Sequence, residues 1–135
     1  MKLDIYLNYR GNCEEAFDFY TQHLDGRIIG MVRRHGEQPN PGVPAEWNGK
    51  VLHARIEIGG TALMGADIPN AEPMRSAYLT LSLATEEEAE RVYALLVDGG
   101  EIFMKMEKTP FANRFAMLRD RFGTSWMLLH QPEST

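Results

Sequence analysis

Leu3, Ile5, Leu7 and Tyr9 alternate with Asp4, Tyr6 and Asn8. A period of two with one apolar and one polar side predicts a half-buried strand. Gly11 ends it. Asn12 then stands three residues before Glu15, the spacing at which a capping side chain and a reaching-back carboxylate satisfy each other's orphan amides. Cys13, Ala16, Phe17, Tyr20 and Leu24 recur at helical spacing, and Gly26 follows where a helix commonly closes on a left-handed residue. Arg27 to Arg34 reads as a second strand. His35 to Gly49 contains Pro39, Pro41 and Pro44 and predicts a long loop, because proline breaks a helix and leaves a gap in a sheet ladder. Lys50 to Ile58 and Thr61 to Ala66 predict a hairpin around Gly59-Gly60, which would set Glu57 opposite Ala62, Arg55 opposite Met64 and His53 opposite Ala66. Asp67 to Arg75, with two prolines, reads as a linker.

The pattern then repeats. Thr85 and Glu88 stand 73 positions after Asn12 and Glu15 and open a second amphipathic helix of Ala89, Val92, Tyr93 and Leu96, closed by Gly99. Before it, Leu79, Leu81 and Leu83 alternate with Tyr78, Thr80 and Ser82. After it, Glu101 to Glu107 and Phe115 to Arg119 read as strands, followed by a last strand in which Trp126, Leu128 and His130 share one face and Ser125, Met127 and Leu129 the other. The displacement falls to 63 at the last hairpin, Gly60-Thr61 against Gly123-Thr124. The first half therefore holds the surplus residues in its Pro-rich loop. Each half reads strand, helix, strand, strand, strand, with modules over 1–67 and 76–131 of a single domain spanning 1–135.

Composition narrows the partners. The 135 residues are 44% hydrophobic and 24% charged, enough for one globular domain with a core. A formal charge of −5 without a Lys/Arg cluster argues against nucleic acid, which needs a basic stripe. No apolar run reaches the roughly 20 residues of a membrane span, so no membrane partner is expected. Met1-Lys2-Leu3-Asp4 leads straight into a strand pattern, and the single Cys13 suits a reducing compartment; a cytoplasmic location is the expectation.

Several stretches together carry a resemblance over essentially the whole chain. They are Tyr6 with Gly11-Asn12-Cys13-Glu14-Glu15-Ala16-Phe17 and Tyr20, His53-Ala54 with Met64 and Asp67, Phe111-Ala112, Asp120-Arg121-Phe122-Gly123, and Trp126-Met127. With the two βαβββ halves, they resemble the vicinal oxygen chelate superfamily of glyoxalases, bleomycin-resistance proteins and ring-cleaving dioxygenases, and within it the PhnB-like branch. The resemblance implies an α+β fold of two tandem βαβββ modules, with the strands curled around a cavity, the helices on the convex side, and assembly as a homodimer. It places Asp4, Tyr6, Asn8, Tyr78, Thr80 and Ser82 on the cavity side, joined by Met64 and Met127.

Metal-dependent members of that superfamily carry His, Glu or Gln ligands on the first, fourth, fifth and eighth strands. The corresponding positions here are Asp4, Met64, Tyr78 and Met127, and two thioethers suit neither zinc nor a hard cation. No metal and no cofactor is therefore expected at that site; a reserve set would be His53 with Glu57 and Asp4. Some relatives bear a demethylubiquinone methyltransferase label, but the sequence has no strand-to-helix Gly-rich nucleotide loop, Gly-x-Ser-x-Gly or phosphate loop.

The candidate ligand-binding residues are Tyr6, Asn8, Trp47, His53, Arg55, Met64, Tyr78 and Met127. His53 and Arg55 beside the tyrosines would anchor an anionic or aromatic ligand. The competing reading is an ion pair of Arg55 with Glu57 or Asp4. Trp47 either caps the cavity or pins its loop to the body or a partner subunit. Cys13 at a helix start has a lowered-pKa reading, against which ordinary packing is preferred. His23 and the run Glu86-Glu87-Glu88 complement helix ends. The function expected first is metal-free binding of a small molecule of unknown identity. The alternatives are a metal-dependent lyase or dioxygenase-type enzyme with His53 as acid or base, and an oligomeric scaffold.

Overall fold

The computed structural model describes residues 1–30, 32–39 and 41–132. The chain divides into two compact units, Met1–Glu72 and Pro73–Thr135.

In the first unit, strand β1 (Ile5–Tyr9) leads into helix α1 (Cys13–His23), two short strands β2 (Arg27–Ile28) and β3 (Arg33–Arg34), a turn of 3₁₀ helix (Ala45–Trp47), and the long hairpin of β4 (Val51–Ile58) and β5 (Thr61–Asp67). The sheet order is β1-β5-β4-β2, with β3 also on β4; β1 is parallel to β5 and the other pairs are antiparallel. The second unit runs β6 (Leu79–Ser82), α2 (Glu86–Val97), β7 (Glu101–Thr109), β8 (Ala112–Arg119) and β9 (Ser125–His130). Its order, β6-β9-β8-β7, has the same plan, with the first strand parallel to the last and antiparallel pairs elsewhere. Two helices and two mixed sheets make the fold α+β, two βαβββ modules in tandem, as the internal repeat predicts.

Each helix covers one face of its own sheet. Cys13, Ala16, Phe17 and Tyr20 of α1 are buried against β4 and β5, and Ala89, Val92 and Leu96 of α2 against β8 and β9. Tyr93, expected in that apolar stripe, is only half-buried. Gly65 of β5 lets α1 approach, since a Cβ there would lie 2.5 Å from the Phe17 ring. The hairpin turn carries positive φ at Gly59 and Gly60, and the register sets Glu57 against Ala62 and Arg55 against Met64 as the pattern predicts. That pairing stops at Ala54 with Gly65, one residue short of the expected His53–Ala66 pair.

Other expectations are corrected. The second strand survives only at its two ends, Arg27–Ile28 and Arg33–Arg34, and Met31, between them, lies outside the described residues, as does Asn40 of the loop. Asn12 makes no side-chain cap bond. Instead the fully buried Asp67, read as the start of a linker, ends β5 and accepts the backbone N–H groups of Gly11 at 3.0 Å and Cys13 at 2.9 Å on Oδ1, and of Val51 at 2.9 Å on Oδ2. A carboxylate there satisfies orphan donors and meets the positive end of the helix dipole, so a local cap is redundant. The left-handed residue after α1 is Asp25, at φ 53°, not Gly26, whose missing Cβ leaves room for the Tyr20 carbonyl. In α2 the Thr85 half of the capping box forms, with Glu88 N–H donating to Thr85 Oγ1 at 3.0 Å, while Glu88 Oε2 accepts from Ala84 N–H at 3.1 Å, one residue before the Thr85 amide. The strands β7 and β8 run further toward their turn than the alternation indicated. Among the described residues no helix is long and apolar enough to cross a membrane.

Candidate functional site

Alternation along β1 buries Leu7 and Tyr9 toward α1, where Tyr9 meets Phe17 edge-on at 5.8 Å, and leaves Tyr6 and Asn8 on the opposite face. Along β4 the same rule buries Ala54, Ile56 and Ile58 and turns out His53, Arg55 and Glu57. Because Met64 is the register partner of both Tyr6 and Arg55, a row Tyr6–Met64–Arg55 crosses three strands on the side away from the helix. Five of the eight candidates, Tyr6, Asn8, His53, Arg55 and Met64, share this face.

Its polar chemistry centres on two groups. The Tyr6 hydroxyl and His53 Nδ1 lie 3.3 Å apart, with the rings tilted at 30° and 5.8 Å between centroids. Burial, and next the nearby Cys13 sulfur, push the Tyr6 hydroxyl above its ordinary pKa, so at neutral pH it is a neutral donor or acceptor. Arg55 has lost both ion-pair partners the sequence offered. Glu57 binds Arg27 at 3.2 Å and Asp4 sits 3.7 Å from Lys2, while Arg55 Nε is buried with no hydrogen-bond partner. A guanidinium nitrogen cannot shed its proton, so this donor is unsatisfied.

The other three candidates lie elsewhere. Trp47 ends its 3₁₀ turn with its ring against Gly11, where a methyl would touch it at 3.6 Å, and close to Lys50. It therefore anchors the Pro-rich loop onto the body of the first unit. Tyr78 and Met127 belong to the second unit. Met127 pairs with Thr80 and Met117, and the half-buried Tyr78 meets the Phe103 ring edge-on at 6.4 Å.

The metal-ligand positions do not hold a workable donor set. The residue opposite Met64 is Tyr6 and the one opposite Met127 is Thr80, and Asp4 and Tyr78 each stand just before the first residue of their strand. The reserve set of His53, Glu57 and Asp4 is broken up by the Tyr6, Arg27 and Lys2 contacts. Among the described residues no three His, Cys, Asp or Glu side chains gather as a metal site would require.

Cys13 is fully buried, and burial, then Asp67 and Glu14, raise its thiol pKa steeply, which makes it a packing residue rather than a nucleophile. Two buried carboxylates were not recognised from the sequence as structural. Asp67 is one; Asp120 is the other, accepting Phe122 and Thr124 N–H at 3.0 Å and Trp126 Nε1–H at 2.8 Å. Arg33, the register partner of His53, also escaped notice; it is exposed.

The model of the family described as 3-demethylubiquinone-9 3-methyltransferase matches residues 1–129. The structure of PA1353 from Pseudomonas aeruginosa is 36% identical, covers 98% of this chain and 99% of its own, and superimposes with a TM-score of 0.84. The PhnB protein of Bacillus cereus is 30% identical, covers 96% of this chain and 99% of its own, and gives a TM-score of 0.82. A glyoxylase/bleomycin resistance protein/dioxygenase domain from Frankia sp. EAN1pec shares the fold alone, at 13% identity, a TM-score of 0.65 and coverage of 100% and 94%. With both βαβββ units in place and nearly the whole length matched, the chain belongs to the PhnB-like family, whose model is described as 3-demethylubiquinone-9 3-methyltransferase, of the vicinal oxygen chelate superfamily.

Proposed function

We propose that the protein binds a small molecule without the help of a metal ion, on the face of the first sheet formed by Tyr6, Asn8, His53, Arg55 and Met64. The observation that carries this is the buried, unpartnered Nε of Arg55 in a row that also holds an aromatic ring and a thioether. A buried donor left without a partner costs about 1–3 kcal/mol, a cost that a bound acceptor would relieve. A few convergent polar groups beside apolar surface are the usual makings of a ligand site.

The test has two parts. Protein purified without chelators is assayed for metals, and it is titrated with benzoate, phenyl phosphate and benzyl alcohol. Binding of any of these by the metal-free protein, lost in Tyr6→Ala, supports the proposal. Near-stoichiometric zinc, nickel, manganese or iron, or no binding by any of the three, overturns it.

We also infer that the chain pairs with a second copy of itself. Ile102, Phe103 and Met104 are 52%, 46% and 38% exposed on β7, the edge strand of the second sheet, and a run of apolar side chains on an open edge favours pairing.

A further inference from the structure

We infer that the occupant of the first sheet's open face is a small organic oxyanion, a carboxylate or phosphate on an apolar or aromatic body, and that Arg33 joins Arg55 in holding it. This rests on the proposed binding face and names its ligand class.

The argument begins with charge pairing. In a chain with 19 acidic residues and a formal charge of −5, the arginines 27, 34, 114 and 119 each have a carboxylate partner. Among the described residues Arg10, Arg33, Arg55 and Arg75 have none, and of these four Arg33 and Arg55 lie on strands. Both belong to one face. The register shifts between Arg33 and Arg34, so that Arg33 pairs with His53 whereas Arg34 pairs with Val51 on the helix side. There Arg34 bonds Glu14 of α1 and the Gly49 carbonyl, and its neighbour Arg33 is left on the side of Tyr6 and His53. Two carboxylates that could have neutralised this patch, Glu57 and Asp4, are engaged by Arg27 and Lys2.

A local excess of guanidinium on an acidic protein repels cations and attracts anions. The Nε–Nη edge of Arg55 is a fork that matches two oxygens of a carboxylate or phosphate, and it would satisfy the orphaned Nε directly. The neutral Tyr6 hydroxyl adds a donor rather than a repelling phenolate, and its ring with the Met64 thioether offers apolar contact to the ligand body.

Calorimetric titration at neutral pH with benzoate, phenyl phosphate and benzyl alcohol tests this. Benzoate or phenyl phosphate should bind at least about tenfold more tightly than benzyl alcohol, and Arg33→Gln and Arg55→Gln should each remove about tenfold or more of that affinity, the usual worth of a charged hydrogen bond. Whichever of the two anions binds tighter identifies the head group. Arg55→Lys, which keeps the charge but not the fork, should fall between wild type and Arg55→Gln, and it serves in place of the glutamine variant if that one unfolds. Equal binding of benzyl alcohol and benzoate, with the arginine variants unchanged, overturns the oxyanion assignment while leaving the binding face intact. Failure of all three probes overturns both.

Discussion

Asp67 shows how far a single side chain reaches in this fold. One carboxylate takes three backbone donors, from Gly11 two residues before α1, from the helix's first residue and from the start of β4. Asp67→Ala leaves them unsatisfied in a dry site and should cost roughly 3–5 kcal/mol, read as a drop in the urea midpoint. Its neighbour Cys13 predicts a pH effect. The folded thiol holds its proton well above the ordinary 9.0, so its contribution to stability is complete below that pH. Stability is then lost as the pH rises further, by up to about 1.4 kcal/mol per pH unit, because the unfolded chain releases a proton the native one keeps. Urea titrations between neutral and strongly alkaline pH should show this slope, and Cys13→Ala should flatten it; an unchanged slope would contradict the assignment. At this scale Tyr6, His53, Arg55 and Met64 were legible, because alternation alone assigns a face. Arg33 was not, since its face depends on a register shift that leaves no mark in the hydrophobic pattern. Nor was Asp67, whose partners are far away in sequence.

Among the elements, the two helix starts look alike in sequence and differ in structure. Asn12 and Thr85 both precede a glutamate by three residues, yet a side-chain cap bond is made by Thr85 and not by Asn12. Thr85→Ala should therefore cost about 1 kcal/mol, whereas Asn12→Ala should cost less than about 0.5, both measured by chemical unfolding. Equal losses would mean that Asn12 caps α1 after all. Packing of α1 on its sheet gives a second check. Gly65→Ala places a methyl against the Phe17 ring and the Cys13 sulfur, and should destabilise by about 1–3 kcal/mol. The elements themselves were readable wherever hydrophobic period and turn chemistry agreed, as at the Gly59-Gly60 hairpin. The residues from Arg27 to Arg34 favour one strand, but among the described residues strand structure forms at Arg27–Ile28 and Arg33–Arg34, with Ile29 N–H also bonding the Arg55 carbonyl at 3.0 Å.

For the whole molecule, the repeat was the most informative signal, since displacements of 73 for capping box and glycine and 74 for the strand before them point to two copies of one unit. The first unit runs first, fifth, fourth, second strand, with its third also on the fourth, and the second unit runs first, fourth, third, second. The face built from Tyr6, Met64 and Arg55 offers a ring, a thioether and a guanidinium. The exposed apolar run on β7 adds the proposal of a homodimer. Light scattering at micromolar concentration should give twice the chain mass of 15.3 kDa, and Phe103→Glu should return it to one; a wild-type monomer would contradict the pairing. The central claim, an organic anion seated on the first sheet without a metal, is met most directly by a crystal structure of the chelator-free protein grown with benzoate. The account predicts carboxylate density on the Nε edge of Arg55, with the ring beside Tyr6 and Met64. A divalent ion coordinated on that face, or benzoate bound elsewhere with Arg55 Nε still unpartnered, would contradict it.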